Sequence, residues 1–338
     1  MKIKRILVII FMSLIFELIF LYYINNFFLT DSSVINSKKI FVSNYGLKGK
    51  VEINIPKNAK EIKTSFDGNY ISYLLNNKLI IINTKNLQLY KELYFSGYTI
   101  NYYVWLPDRN RVVFFKEKEF NNRKNINLYS YDVDNTLSNT VNKDIYLPSK
   151  SVITDITLSP LTNMIYVEAS DNSYDQLYQI NIMGELRKVN LPVNKIIKMY
   201  EMQKKDNLIY QSANNIIHVI EDGKKDIVLS DKKFYLIGID NFDRVYMGKI
   251  NKNKYIYEIY YGYIDSPLKK WDTMFLKNEK SPMDIVLIPK NNDIGILDKY
   301  GNIIIQNKQY IKGYGNLIYM NKSYIVYDNK GKIIVSSY

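Results

Sequence analysis

Five aspartates in this 338-residue chain could supply the paired carboxylates on which glycoside hydrolysis depends. They are Asp67, Asp108, Asp155, Asp240 and Asp243. Most of them occupy predicted turns, where aspartate is common because its side chain accepts hydrogen bonds from the nearby backbone. We therefore favour a structural role for these carboxylates and expect no catalytic residues. A pair at one site would instead indicate a carbohydrate-active enzyme.

Other catalytic and metal chemistry is limited by the residue types that are present. The chain has no cysteine, which excludes disulfides, thiolate nucleophiles and cysteine metal sites. His218 is the only histidine and lies in an apolar predicted strand, so we expect a partly exposed structural side chain. Residues 132–135 and 171–175 resemble calcium loops only weakly, because neither has the glycine and distal glutamate of a full site. We expect no metal and no cofactor.

A run of tyrosines is the strongest candidate for a binding surface. Strand alternation places Tyr255, Tyr257, Tyr261 and Tyr263 on one face, and Trp271 follows after a turn. These side chains could form an aromatic platform that binds a glycan or a protein. The alternative, which we favour, is that they fill the space between neighbouring sheets.

The elements that would position these side chains are short strands. Residues 62–95 contain four apolar or alternating runs, separated by polar turns that are rich in Asn, Asp and Gly. β-Branched and aromatic residues favour strands, and Gly, Asn and Asp tolerate the positive φ of tight turns. One four-stranded antiparallel sheet is the expected product. The pattern then recurs to the end of the chain at a period of roughly 30 to 50 residues.

Such repeats are typical of an all-β fold, the β-propeller. We count about seven four-stranded blades, although about six or eight would also fit the soft unit boundaries. The last unit, residues 316–338, supplies only three strands, whereas residues 51–55 form a spare alternating strand before the first unit. We therefore predict that the N-terminal and C-terminal strands pair in one blade, which closes the ring and removes two sheet edges.

Three turns resemble the S-P-D-G-x-x-I turn of TolB-like (WD40-like) propeller repeats. They are residues 65–71, residues 105–108 with 111–113, and residues 158–160 with 164–166. The motif marks a blade corner, so the resemblance implies structural roles for Asp67, Gly68, Pro107, Asp108 and Pro160. It also implies either a scaffold for protein contacts or a propeller joined to a peptidase. No G-x-S-x-G elbow occurs and the strand pattern continues to the end, which leaves no room for a hydrolase domain.

The N-terminus has the pattern of an uncleaved signal anchor. Residues 1–5 carry three basic side chains, and residues 6–24 are apolar apart from two polar positions. The nineteen residues of this stretch would span about 28 Å as a helix, close to the ~30 Å of a bilayer core. We predict a transmembrane helix within 6–28, a cytoplasmic N-terminus, a linker over 29–39 and an extracytoplasmic propeller over 40–338. A cleaved signal peptide is the alternative.

The two polar positions in the predicted membrane helix are Ser13 and Glu17. They are four residues apart and therefore share one helix face. An ionisable group at mid-membrane costs on the order of 3 kcal/mol on insertion scales. The pair could contact a partner helix or a second copy of the chain, which would give a helix-mediated oligomer. Alternatively, the apolar helix could tolerate a protonated glutamate without any partner.

Charge and composition restrict the partners. The formal net charge is +13, but lysine is interleaved with Asp, Glu and Asn, so no dense basic run marks a nucleic-acid groove. The cysteine-free composition is compatible with an exported bacterial protein. We therefore expect a membrane-anchored, non-catalytic scaffold that binds a protein partner or an anionic envelope polymer, and no nucleic acid. The alternative is a propeller-type carbohydrate-active enzyme of the cell envelope.

Overall fold

The alternating sequence folds into antiparallel strands, and these strands pair into seven sheets that form the blades of a β-propeller. The computed structural model describes residues 2–23, 46–121, 123–140, 145–171, 173–181, 183–305 and 310–338. All the strands of the described residues lie within residues 46–338, which form one compact unit. The structure thus confirms the predicted all-β propeller and its seven blades.

The strands follow one another around the ring, and the first strand of each blade is the innermost. Strand β1 (Lys50–Asn54) precedes the first blade. Blade 1 consists of β2 (Lys60–Thr64), β3 (Tyr70–Leu75), β4 (Lys78–Asn83) and β5 (Leu89–Leu93). Blade 2 consists of β6 (Tyr103–Trp105), β7 (Arg111–Phe120), β8 (Arg123–Asp132), β9 (Leu137–Thr140) and β10 (Ile145–Pro148). Blade 3 consists of β11 (Val152–Ser159), β12 (Met164–Ser170), β13 (Asp175–Ile180) and β14 (Leu186–Val189).

The remaining blades have the same order. Blade 4 consists of β15 (Ile196–Glu201), β16 (Asn207–Ser212), β17 (Ile217–Glu221) and β18 (Lys225–Ser230). Blade 5 consists of β19 (Phe234–Ile239), β20 (Val245–Ile250), β21 (Ile256–Gly262) and β22 (Asp272–Lys280). Blade 6 consists of β23 (Ile285–Ile288), β24 (Asp293–Leu297), β25 (Ile303–Ile305) and β26 (Tyr310–Ile311). Blade 7 contains β27 (Asn316–Met320), β28 (Tyr324–Asn329) and β29 (Lys332–Ser337). Two 3₁₀ turns, Leu268–Lys270 and Pro282–Asp284, flank β22.

Blade 7 is completed by the N-terminal strand of the propeller. Strand β1 pairs antiparallel with β29, so that Ile53 lies opposite Ile333. Both side chains are buried, because they join the hydrophobic cluster between blades 7 and 1. The predicted pairing of the two terminal strands is therefore confirmed, and it leaves blade 7 with four strands.

Apolar side chains pack between the faces of neighbouring blades. The described residues form seven buried clusters, and each cluster joins one blade to the next. Between blades 2 and 3, for example, Phe115 and Leu128 pack with Ile156 and Val167. Since every blade is covered on both faces, its strands are rich in buried Ile, Val, Leu and Tyr.

The first strands of successive blades lie next to one another around a central channel. In five blades the first strand contains one extra residue relative to the second strand with which it pairs. Such an extra residue is a β-bulge. The residues that follow these bulges are Lys63, Asp155, Lys198, Gly238 and Tyr319. A bulge re-aims the side chains after it, and the polar members of this set lie on different sides of the channel.

Helix α1 (Lys2–Tyr23) precedes the propeller in sequence. Ser13 and Glu17 lie on α1, and both are exposed. Within the part of the chain that the structure describes, no helix reaches the length and hydropathy that a membrane span requires. The transmembrane helix expected within 6–28 is therefore not confirmed. Residues 24–28 and the predicted linker lie outside the described residues, as do residues 40–45 of the predicted propeller.

Candidate functional site

The end of the channel at which the first strands end is lined by loops from every blade. We call this end the mouth face. It consists of the loops 65–69, 106–110, 160–163, 202–206, 240–244, 289–292 and 321–323. These loops enclose a cavity of about 390 Å³, to which all seven blades contribute. The apolar part of its lining consists of Phe66, Trp105, Leu106, Pro107, Pro160, Leu161, Pro289, Tyr319 and Met320.

Aspartates on the mouth face hold the loops in shape. The Asp67 carboxylate accepts hydrogen bonds from the Ser65 hydroxyl and the Asn69 amide, both at 2.9 Å. Asp240 accepts from the backbone amide of Arg244 at 2.9 Å and from its Nε at 2.7 Å. Asp243 accepts from the amides of Gln203 and Lys204 in the loop of the preceding blade, at 2.6 and 2.9 Å. These contacts support the structural role that the sequence indicates for turn aspartates.

The turn residues singled out by sequence all lie between the first and second strands of blades 1, 2 and 3. Gly68 has a φ of +69°, and a Cβ at this position would lie 2.6 Å from the Tyr324 ring. Pro107, Asp108 and Pro160 line the mouth cavity. The corner positions therefore also form the rim of the channel.

Both signs of charge occur on the mouth face, and ion pairs join only some of these side chains. Asp108 forms an ion pair with its neighbour Arg109 at 2.7 Å. Lys204 is exposed, and its ammonium lies 5.4 Å from the centre of the Phe242 ring. Lys322 is exposed on the cavity rim and makes no ion pair with any residue that the structure describes. The mouth is thus an apolar cavity with cations at its edge.

Deeper in the channel, blades 1, 2 and 3 bring four polar side chains together. The Lys63 ammonium lies 2.8 Å from the Glu61 carboxylate and 4.3 Å from the centre of the Tyr102 ring. The Tyr102 hydroxyl donates to Asp155 Oδ1 at 2.9 Å. Burial raises the pKa of Asp155, whereas the Tyr102 hydrogen bond and the Lys63 charge act in the opposite direction. Lys63, Tyr102 and Asp155 can donate and accept hydrogen bonds in a partly buried setting, whereas Glu61 is exposed at its edge. Perturbed pKa values in such a setting are typical of functional sites.

The predicted tyrosine platform is divided in the structure. Tyr255 and Tyr263 lie beyond the two ends of β21 and are exposed, whereas Tyr261 stacks on Tyr246 with the ring centres 5.3 Å apart. Trp271 is buried, and its indole N–H donates to the backbone oxygens of Tyr263 and Ser266 at 3.1 and 3.0 Å. Trp271 therefore does not share an exposed surface with the tyrosines.

Tyr257 is the remaining member of the predicted platform. It is half-buried on β21, where the register shifts between Ile256 and Glu258. The irregular register breaks the simple alternation that the prediction assumed. Ligand binding by the tyrosines stays a prediction.

His218 is buried, so the expectation of a partly exposed side chain was wrong. Its Nδ1 lies 2.9 Å from Asp226, and its ring stacks on Tyr210 with the ring centres 4.8 Å apart. The Tyr210 hydroxyl donates to the same carboxylate at 2.8 Å. This packing is a structural arrangement within blade 4. Among the described residues, no group of three or more His, Cys, Asp or Glu side chains is placed to hold a metal ion.

Sequence reasoning did not single out most of the channel residues. They are Glu61, Lys63, Tyr102, Lys198, Tyr200 and Tyr319. Their common signal is a polar or tyrosine side chain in or just before the first strand of a repeat. That position is innermost in a propeller, so a survey of first-strand polar residues could have found them.

The closed ring of seven blades and its lined channel define this protein as a seven-bladed β-propeller. No protein-family model matches the chain, and none of the curated proteins is similar to it in sequence. Its function must therefore be inferred from the channel and the mouth face.

Proposed function

We propose that this propeller is a non-catalytic binding scaffold, and that its mouth face holds a protein partner. The observation that carries this proposal is the apolar mouth cavity, to which loops of all seven blades contribute. Leu161 on its rim is 70% exposed, which is a large apolar side chain left in water. Concave apolar surfaces with a polar rim are typical of interaction sites.

The charges on the mouth face favour a partner segment with acidic residues beside an apolar anchor. The loop carboxylates Asp67, Asp240 and Asp243 are engaged by the loops themselves, whereas Lys204 and Lys322 are available at the edge. An anionic envelope polymer would use the same lysines. The apolar lining adds contacts that a protein segment uses better than a repeating polyanion, so we favour a protein partner.

Photo-crosslinking in the full-length chain tests this function. A crosslinking amino acid at Leu161 should capture one partner protein, whereas the same amino acid at exposed Lys277 on β22 should not. The substitution Leu161→Asp should weaken binding of that partner by about 10-fold to 100-fold, because hot-spot contacts contribute about 1.4 to 2.7 kcal/mol. Equal capture at both positions would contradict a site on the mouth face.

The proposal includes attachment to a membrane through the N-terminal segment, with the propeller outside the cytoplasm. Its support is the apolar sequence 6–24 after three basic residues, and the exposed apolar side chains of α1. Ser13 and Glu17 would then contact a partner helix or a second copy. Alkaline extraction of membranes should leave the full chain in the pellet and release a chain that begins at Gly46. Release of both chains would contradict the anchor.

A family relationship with TolB-like propellers is part of the same proposal. It rests on the corner residues Asp67, Gly68 and Pro107 at the predicted blade turns. The relationship adds a general expectation of protein contacts, and it names no partner.

A carbohydrate-active enzyme is the second candidate, and one observation favours it. Asp155 and Glu61 are two carboxyl groups near Lys63 in the channel, and burial raises the pKa of Asp155. Paired carboxyl groups are the requirement for most glycoside hydrolysis. Hydrolysis of cell-envelope glycans by the full chain, lost in Asp155→Asn, would support the enzyme and overturn a purely binding role.

A further inference from the structure

A second cavity lies inside the channel, on the side formed by blades 4 to 7. Its volume is about 410 Å³, within the usual range of small-molecule sites. It meets the mouth cavity at Tyr319 and Met320, which line both. A small molecule could therefore enter it through the mouth.

The cavity contains one cation without a matching anion. Lys198 follows the bulge of β15, and its ammonium lies 4.7 Å from the centre of the Tyr235 ring. Asp240 is the only carboxylate residue in the lining, but its side chain is fully buried and paired with Arg244 at 2.7 Å. Lys198 makes no ion pair with any residue that the structure describes.

The opposite side of the channel provides the contrast. There the Lys63 ammonium is paired with Glu61 at 2.8 Å, and the Asp155 carboxylate accepts a hydrogen bond from Tyr102. The Lys63 charge on that side is therefore paired within the protein. Among the described channel residues, Lys198 is a partly buried positive charge without an ion-pair partner, and an incoming anion could neutralise it.

Phenol groups and apolar side chains complete the cavity. Tyr319 lines it, and its hydroxyl makes no hydrogen bond with the described residues. Burial raises the pKa of Tyr319 to about 12, so this hydroxyl keeps its proton at neutral pH and can donate. Leu287 and Ile318 supply apolar walls, and Ile318 is 44% exposed although it lies in an innermost strand.

We propose that this cavity binds an organic anion with an apolar body, namely a carboxylate or phosphate ester joined to an acyl or aromatic group. The Lys198 ammonium binds the anionic group and the Tyr319 hydroxyl donates to it. The apolar body packs against Leu287 and Ile318. This inference is independent of any protein partner at the mouth face.

Fluorine NMR of the full-length chain in mild detergent tests the site with three probes. They are trifluoromethylbenzoate, trifluoromethylphenyl phosphate and the uncharged trifluoromethylbenzyl alcohol. We expect both anions to bind, and Lys198→Met to weaken their binding by about tenfold or more, because a charge-assisted contact is lost. The tighter of the two anions identifies the natural ligand as a carboxylate or a phosphate ester.

Two further variants separate binding from folding. Lys198→Arg keeps the charge and should retain anion binding, and Lys277→Met on the outermost strand of blade 5 should change nothing. Binding of the alcohol should be equal in the wild type and in Lys198→Met. The proposal is overturned if neither anion binds the wild type, or if Lys198→Met binds the anions as well as the wild type does. It is also overturned if Lys198→Met weakens binding of the alcohol as much as it weakens binding of the anions.

Discussion

At the scale of single residues, the clearest feature is that the carboxylates differ in burial and in the number of hydrogen bonds that they accept. Those in the mouth loops accept several backbone hydrogen bonds, as Asp240 does from Phe242 and Arg244. Glu201, at the end of β15, has a different environment. It is 1% exposed, accepts one hydrogen bond from Thr162 at 2.7 Å, and has its Oε2 buried without a partner. Burial of a carboxyl group in such a place favours its protonated form.

Glu201 should therefore make stability fall as the pH rises. Burial raises its pKa from 4.5 to about 9, so between these values the folded chain keeps a proton that the unfolded chain releases. The free energy of unfolding then decreases by up to about 1.4 kcal/mol per pH unit from this group alone. Glu201→Gln stays neutral at every pH and should lose this decrease. Urea unfolding at about pH 6 and about pH 8 measures the difference.

Glu221→Gln, at a partly exposed position on β17, is the matched control and should follow the wild type. Glu168, whose pKa burial raises to about 8, contributes the same trend in all these proteins, so the difference between variants isolates Glu201. If the wild type and Glu201→Gln show the same pH dependence, Glu201 is ionised in the folded protein.

At the scale of elements, the bulges in the first strands decide what the channel contains. A regular strand alternates its side chains, so a shift of one residue exchanges the two faces. In β11 the register shifts between Ile153 and Asp155, and Asp155 then meets Tyr102 in the channel. In β15 the shift falls between Ile196 and Lys198, and Lys198 lines the cavity.

This explains which parts of the molecule the sequence could predict. Turn chemistry at Gly68 and the clean alternation of residues 51–55 are local signals, and they led to the blades and to the closure of the ring. A bulge depends on the count of residues in two strands at once, so periodicity within one strand cannot locate it. The positions of Lys63 and Asp155 in the channel are therefore known only from the strand pairing. The burial of Trp271 behind a 3₁₀ turn is likewise known only from the structure.

The pairing of β1 with β29 should contribute measurably to stability. Ile53 is 4% exposed, and its replacement in Ile53→Ala leaves a cavity in the cluster between blades 7 and 1. We expect the free energy of unfolding to fall by about 2 to 5 kcal/mol. Glu52→Ala, on the exposed face of the same strand, should change it by less than about 0.5 kcal/mol. Denaturant unfolding measures both variants, and a similarly small effect of Ile53→Ala would mean that three strands suffice for blade 7.

At the scale of the whole molecule, ring closure places one loop from each blade around a single opening. Sequence neighbours are therefore poor guides to the site, because Phe66, Leu161 and Met320 meet at the mouth although they belong to blades 1, 3 and 7. The net charge of +13 gives the whole protein a positive field, and Lys204 and Lys322 are exposed at the same opening. Association with an acidic partner should then be steered by the field of the whole protein.

This steering predicts a salt-dependent association rate for the partner captured at Leu161. The double variant with Lys204→Gln and Lys322→Gln should associate several-fold more slowly than the wild type at low salt, as rim charges mainly change association rates. The difference should disappear near about 0.5 M salt, where the screening length is about 4 Å. A double variant with the same change in net charge, Lys91→Gln and Lys277→Gln, should lose much less, because these exposed lysines lie on the outermost strands of blades 1 and 5. If both double variants slow association equally, only the net charge steers the partner, and the lysines of the mouth face have no special role.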